Sequence, residues 1–101
     1  MPSVARLGDK SSGHECCYSP TTLIQASSNV FVNGKGAARS GDKFAVHGGC
    51  DDHQPDQDYV KTRSYASVYV NGRAIARVGD GVGPSTISTI TSGSPNVYSG
   101  G

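Results

Sequence analysis

The sequence predicts a small all-β domain of three hairpin repeats, related by a pseudo-threefold axis and containing little helix. Three observations predict it. A thirteen-residue pattern occurs twice without a gap, and shorter pieces of it stand near both ends of the chain. Glycine takes 14 of 101 positions, and Val-aromatic-Val triplets run into Asn-Gly pairs, so turns are frequent and strands short. No window sustains an apolar period of about 3.6 residues, the mark of an amphipathic helix.

The repeat organises everything else. Val30-Phe31-Val32-Asn33-Gly34-Lys35-Gly36-Ala37-Ala38-Arg39-Ser40-Gly41-Asp42 aligns with Val68-Tyr69-Val70-Asn71-Gly72-Arg73-Ala74-Ile75-Ala76-Arg77-Val78-Gly79-Asp80, 38 residues on. Ser3-Val4-Ala5-Arg6-Leu7-Gly8-Asp9 is the back half of a third copy, and Ser92-Gly93-Ser94-Pro95-Asn96-Val97-Tyr98 is a front half. The chain 1–101 is therefore one domain of permuted repeats, with cores at 3–9, 30–42 and 68–80 and a closing half-repeat at 92–98. If the last strand pairs beside the first, the chain closes on itself.

Each element of the unit has a physical reason. Val-aromatic-Val favours a strand. Asn-Gly is the strongest two-residue hairpin turn, because both central residues need φ > 0. A second strand is expected over 36–40 and 74–78. Gly-Asp then turns the chain, with glycine at positive φ and Asp capping the turn, and each Arg can pair with the Asp that follows it or with an acidic partner. The Thr and Ile alternation in the last inter-repeat loop, 81–93, predicts a further strand. A single helical turn is expected around Pro20 to Leu23.

The loops between repeats carry the chemistry. Loop 44–67 contains His47-Gly48-Gly49-Cys50-Asp51-Asp52-His53, three strong metal ligands within seven residues, followed by Asp56 and Asp58. The remaining histidine of the chain, His14, lies in loop 10–28 beside Cys16 and Cys17. A tetrahedral zinc ion takes four N or S ligands, and His14, His47, Cys50 and His53 would supply them if the loops converge at one end of the axis. With four protein ligands the shell is full, which favours a structural ion over a catalytic one. Asp51 and Asp52 are then solvated or hydrogen-bonded to a ligand histidine. Three cysteines, two of them adjacent, make a poor disulfide framework.

Composition narrows the function classes. A net charge of +1 gives no electrostatic case for nucleic acid or an anionic membrane. No apolar run approaches the length of about 20 residues that a spanning helix needs, and the N-terminus has no apolar signal segment. Leu, Ile, Val and Phe total only 18 residues, so the core is thin, and small domains of that kind often recruit a metal or a partner. No phosphate loop, serine-nucleophile elbow or Arg-Gly-Asp triplet occurs.

The repeated Ala-Arg-x-Gly-Asp at Ala5 to Asp9, Ala38 to Asp42 and Ala76 to Asp80, with Val-Asn-Gly before two of the copies and a closing Gly-Ser-Pro-Asn-Val, resembles the PAAR-repeat family. No copy is literally Pro-Ala-Ala-Arg; the equivalent residues are 3–6, 36–39 and 74–77. The resemblance covers nearly the whole chain. It implies a small cone whose base sits on a trimeric β-helical spike, of the valine-glycine-repeat type or a phage central spike. The cone forms the sharpened tip of type VI secretion systems and contractile phage tails. It also implies a metal near the apex, usually zinc, held by three histidines and one cysteine. By position these are His14, His47, His53 and Cys50, with Cys16 or Cys17 as alternatives to Cys50. Iron accepts the same ligand types.

The expected function is therefore a membrane-piercing spike tip with a structural metal and no enzymatic chemistry. Such a protein is made in the cytoplasm and leaves as part of a virion tail tip or through type VI secretion, without a signal peptide. The chain ends directly after its last half-repeat, so no fused toxin is expected. An adaptor that attaches effector cargo is the first alternative, and it predicts an exposed non-repeat surface around Asp51 to Lys61. A small zinc-dependent hydrolase is the second, and it predicts a metal-bound water.

Overall fold

Asn33 and Asn71 sit at φ 54° and 53°, and Gly34 and Gly72 follow at 77°. Two successive residues at positive φ form the type I′ turn, whose twist matches that of the flanking strands. The two Asn-Gly pairs thus close the hairpins β1–β2 (Phe31–Val32 with Lys35–Gly36) and β4–β5 (Tyr69–Val70 with Arg73–Ala74). A third antiparallel pair joins β3 (Tyr59–Val60) to β6 (Val82–Gly83). The computed structural model describes residues 2–14, 18–48, 54–62 and 66–100, and among these there is no helix.

The strands after the turns are shorter than expected. Regular pairing stops after two residues because the chain then hydrogen-bonds to a different repeat. Arg6 bridges Ala37, Arg39 bridges Ile75, and Val4 bridges Arg77. At the centre, Ala38 N–H donates to Ala5 O (3.0 Å), Ala76 N–H to Ala38 O (2.9 Å) and Ala5 N–H to Ala76 O (2.9 Å). This closed cycle of three bonds makes the three repeats equivalent about one axis. All three alanines are buried, and only a small side chain lets three backbones approach this closely. The ends close as the permutation predicts: Ser3 bridges Tyr98, and Val4 N–H donates to Val97 O at 3.0 Å.

Each Arg-x-Gly-Asp segment is a turn. The Asp N–H returns to the Arg carbonyl in all three (2.9–3.0 Å), and Gly8, Gly41 and Gly79 lie at φ 88–94°. Each Asp caps its own turn by accepting the Arg N–H at 2.7–2.8 Å. The guanidinium groups then tie repeats together. Arg6 donates to Asp9 and to Asn33 Oδ1, while Arg39 donates to Asp42 and to Asn71 Oδ1. Arg77, which has no third hairpin asparagine to meet, reaches Ser99 O.

Beyond the ring the threefold order persists in the backbone. The turn glycines Gly8, Gly41 and Gly79 donate to Leu23 O, Val60 O and Ile90 O, and those residues donate back to Asp9 O, Asp42 O and Asp80 O. The single helical turn expected near Leu23 is absent for this reason: Thr22 and Leu23 are in bridges to Lys10 and Phe44. The Thr and Ile alternation forms only the single bridges of Thr89 and Ile90, and the one strand of this loop, β6, lies before it at Val82–Gly83. The main core gathers Leu23, Phe44, Val60, Val82 and Ile90 over the three alanines, and a smaller one holds Val4, Ala37, Val70 and Ile75. The molecule is elongated, 40 × 26 × 23 Å.

Candidate metal centre

The loops leave the core as three extended pairs, marked by Ser11 N–H to Thr21 O, Phe44 N–H to Asp58 O and Val82 N–H to Ser88 O, each 2.9 Å. His14 and His47 each stand three residues beyond the first member of their pair. Equivalent backbone positions therefore bring the two imidazoles to the same level, with ring centroids 5.0 Å apart and edge to face. His47 also bridges Asp56 through reciprocal backbone bonds of 3.0 and 2.8 Å. On an extended strand residues two apart share a face, so Asp58 points where Asp56 points.

Four side chains converge as a result. His47 Nε2 lies 2.7 Å from Asp56 Oδ1 and 3.1 Å from Asp58 Oδ2. His14 Nε2 lies 3.4 Å from Asp56 Oδ2 and 3.3 Å from Asp58 Oδ2. One ligand atom from each residue falls within 4.8 Å of the others, a group that can hold a metal ion. Asp58 is fully buried, the histidines are 9 % exposed, and only Asp56 reaches solvent appreciably.

The polar atoms are close but not hydrogen-bonded to one another. His14 Nε2, His47 Nε2, Asp56 Oδ1 and both Asp58 carboxylate oxygens are buried without a hydrogen-bond partner. The atoms approach to ion-pair distance, but their alignment makes no hydrogen bond. Uncompensated buried polar groups cost free energy. His47 Nδ1 lies 2.7 Å from Ser19 O, which can only accept, so Nδ1 carries the proton. In the neutral ring Nε2 is then a lone-pair donor facing two carboxylates. A cation among these atoms satisfies all of them at once, and the carbonyl behind the ring is the usual support for a ligating histidine. Two imidazoles and two carboxylates suit zinc or ferrous iron.

The surroundings support the same reading. Tyr18 stacks on the His14 ring at 4.6 Å and 16°, and its hydroxyl donates to Gln54 O at 2.6 Å, tying the His14 loop to the His47 loop. Burial pushes the Asp58 carboxyl above the ordinary range, nearby Asp56 adds to the rise, and the two histidines oppose it. An open pocket of about 590 Å³ reaches His14 and Asp56 from the side of loop 81–93.

Of the four ligands expected from sequence, the structure brings His14 and His47 together. Cys50 and His53 lie outside the described residues, as do Cys16, Cys17, Asp51 and Asp52. Asp56 and Asp58 were visible only as loop carboxylates; their Asp-x-Asp spacing just before the Tyr59–Val60 strand was the available signal. No protein-family model matches the chain, and no curated protein matches it.

Proposed function

We propose that this protein is the PAAR-like tip of a contractile injection spike, in a phage tail or a type VI secretion system, capping a trimeric β-helical spike protein. The observation that carries the reading is the cycle of bonds among Ala5, Ala38 and Ala76. It gives a single chain the symmetry of a trimer. Equivalent repeat positions also expose an aromatic ring three times, Phe31 at 61 %, Tyr69 at 58 % and Tyr98 at 50 %. Exposed apolar groups set out around one axis suit a partner with the same symmetry. The His/Asp cluster supplies the other requirement. A narrow tip cannot bury a hydrophobic core, and a metal ion can hold converging loops where a core is lacking.

The role is mechanical: the tip sharpens the spike, meets the target membrane transiently and performs no reaction. A second reading, an adaptor that carries effector cargo, is favoured by an open groove of about 650 Å³ with exposed Leu7, Ile24 and Phe31 on its walls. Mixing the protein with a trimeric β-helical spike and weighing the complex tests the first reading. One copy per trimer is expected. Three copies per trimer, or no complex, would overturn it.

A further inference from the structure

The three loops are equivalent in backbone but not in what they offer the metal centre. Counting three residues outward from Ser11, Phe44 and Val82 gives His14, His47 and Ser85. The third loop thus presents a serine at the register position where the other two present histidine. The Ser85 hydroxyl oxygen accepts the Ile87 N–H at 3.1 Å, which turns it back toward its own loop. On this side lies the open pocket of about 590 Å³, lined by His14, Tyr18 and Asp56 and by Pro84 to Ile87. His47 and Asp58 do not line it, and Asp58 is fully buried. Among the described residues, the cluster therefore meets solvent on the side where the third loop carries serine at the histidine register position.

We infer that an ion held by His14, His47, Asp56 and Asp58 keeps a coordination position open toward Ser85 and takes an exchangeable neutral donor there. Water is the resident donor, and an imidazole can replace it. A hydrolase would need such a water too, but with Asp56 and Asp58 both taken as ligands no carboxylate of the cluster is left to act as its general base. This rests on the reading of the cluster as a metal centre. The charge follows from the donor set: two carboxylates already neutralise a dication, so an added anion gains little, while a neutral nitrogen or oxygen donor loses nothing. The size follows from the pocket, which far exceeds the share of about 30 Å³ taken by one water. The open position is a fifth one beside four protein donors, and it separates this site from closed structural zinc sites, which stop at four-coordinate tetrahedral geometry with no solvent bound.

Cobalt(II) loading with visible spectroscopy tests the inference on the full chain. The expected result is a weak absorption of a five- or six-coordinate ion that shifts on imidazole titration to saturation at a single site, with cobalt retained and little response to azide. Ser85→His should keep cobalt and lose the imidazole response, because the chain then fills the position. An intense four-coordinate spectrum with a sulfur charge-transfer band, unmoved by imidazole, would overturn the inference and leave the metal centre standing, closed by a cysteine. An azide response equal to that of imidazole would overturn the neutral-donor assignment. An imidazole response surviving in folded Ser85→His would overturn the placement. Failure of the wild-type protein to take up cobalt would overturn the inference and the metal centre together.

Discussion

The central ring and the loop end are built on the same threefold backbone, yet one keeps the symmetry in its side chains and the other abandons it. At the ring the equivalent residues are identical: Ala5, Ala38 and Ala76, then Arg6, Arg39 and Arg77, then Asp9, Asp42 and Asp80. A level further out they are Leu23, Val60 and Ile90, still apolar and all buried. At the next they are Thr21, Asp58 and Ser88, and at the outermost His14, His47 and Ser85. The difference separates two jobs. Backbone hydrogen bonds hold three repeats around an axis, and identical small side chains serve that equally well three times. A metal centre occurs once per chain, so its donors have no reason to repeat.

The largest effect should come from breaking that asymmetry. His47→Ala or His14→Ala should abolish stoichiometric metal binding, measured by metal analysis, and lower the melting temperature as far as a chelator does. Ser85→Ala, at the equivalent position, should leave metal content unchanged. Structural zinc in finger peptides is worth an apparent 10–16 kcal/mol, and that is a ceiling here because the core persists. If the histidine variants melt like wild type under chelation-free conditions, the loops do not depend on an ion.

The ring should show the opposite pattern. Valine at position 5, 38 or 76 overpacks the close approach of three backbones and should cost about 1–3 kcal/mol at each, read from urea unfolding. The three costs should agree. A clear difference among them would mean the threefold equivalence is only nominal.

A smaller effect is expected where the ring meets the hairpins. Asp42 accepts from the Arg39 backbone and from the guanidinium groups of both Arg39 and Arg73. Arg73 is substantially exposed, so its share is screened. Asp42→Asn should destabilise by about 1–2 kcal/mol, and Arg73→Ala by less, in the same unfolding assay.

The smallest effect is a pH trend at the loop end. The Asp58 carboxyl is raised above its ordinary range, chiefly by burial. Without metal, the folded state holds that proton after the unfolded state has released it. Stability is therefore lost as pH rises from the ordinary carboxylate range through the raised value. Metal-free Asp58→Asn lacks this loss, so it should gain on metal-free wild type as pH rises through that window. With metal bound the wild-type trend should reverse, because protons compete with the ion for the carboxylate. Parallel stability curves for the two metal-free proteins would remove Asp58 as a strained buried acid.

The sequence showed more of the ring than of the site. Asn-Gly hairpins and Arg-x-Gly-Asp turns are local, set by positive φ and by bonds spanning three residues, and so can be read from a single stretch. The extent of the strands could not, because Gly36 and Ala74 are followed by residues that bond to other repeats. The histidines stood out by rarity, whereas Asp56 and Asp58 are common residue types in a segment with no apolar pattern to mark it as extended.

By itself the sequence determined the all-β class, the turns and the repeat register, because each rests on contacts a few residues long. Only the tertiary structure decided that Asp58 and His14, far apart in the chain, meet within 3.3 Å. That meeting depends on three backbone pairings, Leu23 with Phe44, Val60 with Val82 and Ser11 with Ile90, which bring separate loops to one level. Long-range register of this kind is set by the closed ring beneath the loops, not by any residue within them.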